Sequence, residues 1–249
     1  MTQKITVGII GTGRFATVLR SLFAQDSLWE VKQYSTTKSV DGKIIFPMSE
    51  IAQCELIIPA VPISAFKTIL KKLKDEIPPH TSPLVISICS VMSHPQRWLM
   101  AELPESVDIL MTHPMFGPHS TQNGTEFGGR SLVWNPIRIA KKSRLKMFKY
   151  FLERQGIRLI PMHSDHHDQI MAQTQFVSFL FGQIGIELGL QSTRLDTQGF
   201  THLLKNQAIV KTDTRQLFIN ICVHNPYAKK QLHKVSEILR EFEKEVGRI

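Results

Sequence analysis

Apolar positions in the first 160 residues come in short bursts separated by amphipathic stretches, the pattern of strands alternating with helices. Ile5-Thr6-Val7-Gly8-Ile9-Ile10 reads as a buried strand, and Val18, Leu19, Leu22 and Phe23 form the stripe of a following helix. Trp29–Tyr34 predicts a second strand, and residues 44–49 are compatible with a further short one. Glu55–Pro62 predicts an apolar strand with a proline-restrained exit. The helix after it buries Phe66, Ile69, Leu70 and Leu73 and turns Lys67, Lys71, Lys72 and Lys74 to solvent. Leu84–Cys89 is the next strand, residues 95–102 a helix, and residues 107–111 a strand leading into His113-Pro114-Met115-Phe116-Gly117-Pro118. Residues 119–130 are polar and glycine-rich, the composition of a flexible wall beside His113. Ser131–Trp134 predicts a strand returning to the sheet, Asn135-Pro136 a turn, Leu145–Leu152 a basic amphipathic helix and residues 156–160 a last strand.

After Pro161 the period becomes helical. Asp168–Leu190 reads as one long helix with glycines at 182, 185 and 189 for close approach. Gly199–Val210, Thr214–Val223 and Ala228–Val246 follow, the last placing Leu232, Val235, Leu239, Phe242 and Val246 on one stripe. The expected architecture is α/β, a Rossmann-type doubly wound nucleotide-binding domain (1–161) followed by an all-helical domain (162–249). That helical part is too thin to bury its stripe alone, which predicts a homodimer through it.

Chemistry enters at the first strand–helix turn. Gly11-Thr12-Gly13-Arg14-Phe15-Ala16 is a G-x-G-x-x-A sequence opening a helix. Its first glycine permits the turn, the second admits a pyrophosphate, and the small third residue lets helix and sheet pack. The helix N-terminus offers free N–H groups to phosphate. The second strand ends in Ser35, Thr36 and Lys38 where an NAD site usually carries an acid. With no acid to repel a 2′-phosphate and with Lys38 and Arg14 within reach of one, the pattern favours NADP, with NAD the alternative. Ser90 and His113 both end neighbouring strands on the nicotinamide side, which suits proton abstraction by an imidazole while a cofactor takes hydride. Ser90 then holds either the substrate hydroxyl or the ring.

His163-Ser164-Asp165-His166-His167-Asp168 is the densest ionisable run. Adjacent residues do not converge easily on one ion, so no metal site is expected. The remaining readings are a helix cap or a cleft lining. The net charge of +9 comes from scattered residues, with pairs at Lys71-Lys72, Lys141-Lys142 and Lys229-Lys230. This favours a small anionic substrate over nucleic acid. Three cysteines lie far apart, no apolar run reaches membrane length, and the start enters a strand directly. A cytoplasmic protein without membrane contact is expected.

With these residues in view the chain resembles the prephenate/arogenate dehydrogenase family, closest to its plant-type arogenate dehydrogenases. The matching segments are Gly11–Ala16, Ser90-Val91, His113–Pro118, His167-Asp168 with Gln175-Phe176-Val177, and Asp196–Phe200. The resemblance implies oxidative decarboxylation of arogenate or prephenate in tyrosine biosynthesis, with His113 as base and Ser90 beside it. It also implies substrate contacts at Gly117, His167 and Gln175, with Arg194 the nearest candidate for the arginine that grips a carboxylate and Lys205 and Arg215 as other options. Three departures stand out. Met92 occupies a family lysine position, Phe179 that of a substrate-binding histidine, and the arginine has no secure match. These imply an altered side-chain preference, a carboxylate clamp from a dimer partner, or reduced activity. The competing readings are an NAD(P)-dependent oxidoreductase of another small acid and a catalytically weakened nucleotide-binding dimer.

Overall fold

The computed structural model describes residues 4–36, 45–118, 120–121 and 126–248. The chain forms two compact units, residues 1–164 and residues 165–249.

Among the described residues the first unit is a seven-stranded sheet in the order β2-β1-β3-β4-β5-β6-β7. The strands are β1 (Ile5–Ile10), β2 (Trp29–Tyr34), β3 (Leu56–Pro59), β4 (Leu84–Ser87), β5 (Asp108–Pro114), β6 (Ser131–Arg138) and β7 (Arg158–Pro161). β1 to β5 pair in parallel, β6 joins β5 antiparallel, and β7 runs parallel to β6. Helices α1 (Arg14–Phe23), α2 (Met48–Ile51), α3 (Ile63–Glu76), α4 (Ser93–Glu102) and α5 (Lys142–Arg154) accompany it. Two apolar clusters form. One joins α1 and α5 through the stacked rings of Phe23, Phe148 and Phe151, and the other holds Phe66, Leu70, Leu73, Met92 and Leu99 from α3 and α4. Cys54 belongs to the second cluster, and burial pushes its thiol up to about 11, so it packs as a neutral group. At the N-terminal end of β5 the buried Asp108 carboxylate accepts the amides of Ala140 and Lys141 and lies 3.8 Å from Arg144. This tie fixes the sheet at the end opposite its functional edge.

The second unit holds most of α6 (Ser164–Gln173), with α7 (Gln175–Glu187), α8 (Gln198–Lys211), α9 (Arg215–His224) and α10 (Ala228–Val246). α7 and α8 pack closely because Gly182 has no side chain: a Cβ there would lie 2.5 Å from Val210 Cγ2. The Ser178 hydroxyl donates to Asn206 across the same contact at 2.7 Å. α7 meets α9 through the stacked rings of Phe176 and Phe218, 5.9 Å apart. Thr197 and Thr214 cap α8 and α9 by accepting the amides of Phe200 and Leu217.

Three expectations change. The possible strand at 44–49 gives way, from residue 45 on, to an irregular entry and the short helix α2. Its Met48 and Ile51 are buried in the second cluster, a contact the local pattern cannot announce. Asn135-Pro136 does not turn the chain but lies inside β6, opposite Met111 and Leu110. Beyond Trp134 that strand no longer pairs with β7, and the β5 pairing shifts register beside Leu110, so a missing donor is tolerated. The long helix over 168–190 is two helices broken at Thr174, whose φ is −115° and ψ −80°. The wall expected over 119–130 lies partly outside the described residues, and Phe127 within it is buried in the first cluster.

Candidate active site

The order of the sheet sets where a ligand fits. From β1 the chain goes to β2 on one side and then to β3 on the other, so the crevice opens at the C-terminal ends of β1 and β3. The glycine turn stands there. Gly11 has φ +122°, and a Cβ on it would lie 2.4 Å from the Ala60 carbonyl oxygen at the exit of β3. Gly13 differs: a Cβ there meets nothing within 4 Å among the described residues, and Thr12, Gly13 and Arg14 are exposed. Gly13 stands at the N-cap of α1, so the positive end of that helix faces the turn. Phe15 is half-buried and tilts against Phe116 at 6.3 Å, and Ala16 is fully buried, which is the close packing its small size allows. The residues present therefore fit a dinucleotide pyrophosphate.

Around the turn, Ser35 follows β2 with its hydroxyl 3.4 Å from that of Thr12. Thr36 is exposed, and Lys38 lies outside the described residues. The Gln33 side-chain amide donates to the Gly11 carbonyl at 2.7 Å and so pins the turn to β2. Sequence reasoning missed Gln33. Its signal is a polar residue at an inward position, two after Val31 and four after the buried Trp29.

His113 was expected just beyond a strand. It lies inside β5, opposite Val133, and is 5% exposed. The antiparallel β6 continues the pairing through Pro114 and Leu132, and the Met115 amide then donates to Ser131, so the imidazole is held by two strands. Ser90 is half-buried, three residues past the end of β4. The register Ser87 to Met111 puts Ser90 and His113 at the same C-terminal edge. Thr112, also unforeseen, ties that edge: its buried hydroxyl donates to the Ser87 carbonyl at 2.6 Å. Gly117 opens the turn after β5, accepting the Thr121 hydroxyl and donating its amide to Ser120. One edge of the first unit thus gathers the glycine turn, Ser35, Ser90, His113 and Gly117.

The other named residues belong to the second unit. His167 is fully buried in α6, its Nδ1 2.9 Å from the Asp168 carboxylate, which holds the ring by that nitrogen. The Asp168 carbonyl accepts the Asn225 amide, and the Tyr227 hydroxyl donates to Asp165 at 2.7 Å while accepting from Gln169. The bond to Asp165 holds the Tyr227 phenol above its ordinary pKa. The ionisable run therefore staples α6 to the junction of α9 and α10. Gln175 begins α7 with a buried side-chain oxygen that has no hydrogen-bond partner among the described residues. Arg194 is exposed on a tight turn that Asp196 organises by accepting the Ser192 hydroxyl and the Thr193 amide, bonds that keep its carboxyl below the usual range.

Residues 29–161 match the family model of the prephenate dehydrogenase nucleotide-binding domain. The chain belongs to the prephenate dehydrogenase family. Residues 184–248 match the TYRAAT1-like C-terminal domain. Among curated relatives of this family member, arogenate dehydrogenase 1, chloroplastic, of Arabidopsis thaliana is 29% identical over 244 residues, covering 93% of this chain and 38% of the relative. Arogenate dehydrogenase 2, chloroplastic, of the same plant is 30% identical over 173 residues, covering 68% and 48%. The chain thus spans about half or less of the length of these relatives. In fold it resembles prephenate dehydrogenase from A. aeolicus in complex with hydroxyphenyl propionate and NAD+ (TM-score 0.73, 16% identity, 99% of this chain and 92% of that one). Synechocystis arogenate dehydrogenase is similar too (TM-score 0.67, 17% identity, 98% and 92%). Among the described residues no helix is long and apolar enough to cross a membrane.

Proposed function

We propose that this family member oxidises and decarboxylates arogenate or prephenate with NAD(P), a step of tyrosine biosynthesis. The observation that carries the reading is the buried His113 on β5, at the same sheet edge as the open glycine turn and Ser90. The names of the curated relatives support the substrate class. Residues 1–161 form the dinucleotide-binding domain, and residues 162–249 the substrate-binding and dimerisation domain.

Gly11, Thr12, Gly13, Arg14, Phe15 and Ala16 hold the pyrophosphate side of the cofactor, and Ser35, Thr36 and Lys38 its ribose. A nicotinamide dinucleotide bound there supplies the acceptor for the hydride leaving C4 of the ring. His113 takes the proton of the 4-hydroxyl as C4 becomes a carbonyl carbon. The bond between the ring and its carboxylate then breaks, its electron pair aromatises the ring, carbon dioxide leaves, and the ring oxygen regains a proton as a phenol. Ser90 orients either the hydroxyl or the imidazole. The family resemblance supports substrate-binding roles for Gly117, for His167 and Gln175, and for Arg194 toward a carboxylate. The lack of an acid at Ser35 and Thr36 supports NADP over NAD. The exposed stripe of the second unit supports a homodimer. The cytoplasmic compartment remains part of this proposal, tested by fractionation. The plant relatives' names say chloroplastic.

The test is reduced-cofactor formation by the purified protein with arogenate and with prephenate, each with NAD and with NADP. His113→Asn lowers kcat by about 10²- to 10⁴-fold while cofactor affinity stays within about twofold, because the lost interaction belongs to the transition state. Turnover equal to wild type removes His113 from the role. No turnover on either substrate with the cofactor bound favours the second reading, a weakened nucleotide-binding dimer. Met92 at 0% exposure and Phe179 at 8% favour that reading, since both pack as core where the resemblance implies polar ligands.

A further inference from the structure

Around His113 the two faces of β5 have different surroundings. Thr112 and Pro114 pair across the sheet with Trp134 and Leu132 of the first apolar cluster, whereas His113 pairs with Val133 of the second. Side chains alternate along a strand, so His113 stands on one face with Thr112 and Pro114 on the other. On that other face a small apolar cavity lies against Phe15, Thr112, Pro114 and Phe116. Close packing holds a core side chain in one place, and an unfilled space beside it leaves room for a small displacement. The stretch of β5 that carries His113 is therefore backed by a void whose wall includes two phenylalanine rings.

Those rings differ in how they are held. Phe116, a few residues beyond His113 and 8% exposed, lies between Phe15 at 6.3 Å and Phe127 at 6.0 Å. Phe127 is fixed. It is buried, its carbonyl accepts the Arg130 amide, and the nearby Gly129 amide donates to Gly156 at 2.9 Å. Gly156 comes so close that a Cβ on it would lie 2.9 Å from Gly128 Cα. Phe15 is less enclosed: it is half-buried, in the first turn of α1, just past the open Gly13. A ligand settling on the glycine turn therefore acts on the least confined of the three rings.

We propose that Phe116 is a positioning residue: through Phe15 it carries occupancy of the glycine turn to β5 and so sets the place of His113. With the turn filled, Phe15 is held against Phe116, the rings wedge the space behind Thr112 and Pro114, and the imidazole on the far face keeps one position. With the turn empty, the strand has that space to move into. A ligand shifts such an equilibrium only through a contact that differs between the two states, and the Phe15–Phe116 contact is that difference. Aromatic pairs prefer particular ring geometries, so an aliphatic side chain of similar bulk fills the site without reproducing the link. The proton acceptor is thus made ready when the hydride acceptor is in place. The inference deepens the function proposed above: it rests on cofactor binding at the turn and is measurable without turnover.

The test is NMR of the histidine ring signals in the full chain, with the His113 signal assigned by its loss in His113→Asn. The probe is ADP-ribose, which fills the glycine turn and carries no nicotinamide to disturb the imidazole directly. In the wild type the His113 signal moves on saturation with ADP-ribose. In Phe116→Leu and in Phe15→Leu at least roughly half of that movement is lost, while ADP-ribose affinity changes by less than about threefold. With arogenate or prephenate, kcat of Phe116→Leu falls about tenfold at a KM within about threefold, since a displaced base costs rate more than binding. The double variant is no slower than the slower single one, because both changes remove the same link. Thermal melts verify folding, and Phe15→Leu carries the test if Phe116→Leu does not fold. A full His113 movement in the folded variants, no movement in the wild type, or additive losses in kcat overturns the inference. Failure of ADP-ribose to bind overturns the cofactor reading and the inference with it. Coupled movement without turnover upholds the inference and overturns the dehydrogenase reading.

Discussion

Gly11 and Gly13 stand two residues apart in one turn, and the protein uses them differently. At Gly11 the backbone is left-handed and the Ala60 carbonyl occupies the place of a side chain, so this glycine belongs to the fold. Gly13 has φ −67° and open space above it, so its missing side chain serves whatever binds there. Gly13→Val is expected to leave the melting temperature within about 2 °C of wild type and weaken nucleotide binding by at least roughly tenfold, since a branched side chain would fill the place proposed for the pyrophosphate. Gly11→Val is expected to lower the melting temperature or prevent folding. Calorimetric titration with NAD and NADP, beside thermal melts, separates the two. Unchanged affinity in Gly13→Val would remove the turn from cofactor binding. At this scale the glycine turn, Ser90 and His113 were legible from residue type and position. Gln33 and Thr112 were not, because each matters through a bond to a strand distant in sequence.

Elements were legible where their pattern is local. The strands at Ile5–Ile10 and Trp29–Tyr34 and the helices over 199–210, 214–223 and 228–246 follow from the apolar period alone. The local pattern misleads where a neighbour decides. Pro136 reads as a turn until β6 is seen to have lost β7 beyond Trp134. The break at Thr174 comes without glycine or proline, and the Thr174 hydroxyl bonds back to the Ile170 carbonyl. Glycines 182 and 185 did announce close helix packing, and they sit within α7 where it meets α8. Gly189 did not: it lies past the end of α7 at φ +64°, and a Cβ there would meet nothing within 4 Å among the described residues. Gly182→Ala is expected to cost about 1–3 kcal/mol by forcing its methyl group against Val210. Val210→Ala in the same chain should recover part of that loss by opening the space. Denaturant titration of both variants checks this, and equal costs for the single and double variants would show that Val210 is not the obstacle.

For the whole molecule, charge is divided unevenly. Residues 1–164 carry 20 Lys and Arg against 12 Asp and Glu, while residues 165–249 carry 10 against 9. The excess positive charge therefore belongs to the unit with the glycine turn, where it would attract the anionic dinucleotide proposed above. Dissociation constants for NAD and NADP should rise with ionic strength between 50 and 500 mM salt, roughly threefold or more, and more steeply for NADP with its extra phosphate. Salt-independent binding would confine recognition to short-range contacts at the turn.

The sequence by itself determined what depends on neighbouring residues: the left-handed turn that only glycine takes easily, the two periods of strand and helix, the capped starts of α8 and α9, and the family to which these segments point. Tertiary structure decided what depends on residues far apart. It placed His113 inside a paired strand instead of beyond it, because an antiparallel strand some twenty residues later continues the ladder past Pro114. It tied Asp165 and Asp168, expected only to cap a helix or line a cleft, to Tyr227 and Asn225 near the far end of the chain. Backbone preference is written within a few residues, whereas burial and pairing exist only once distant segments share the same space.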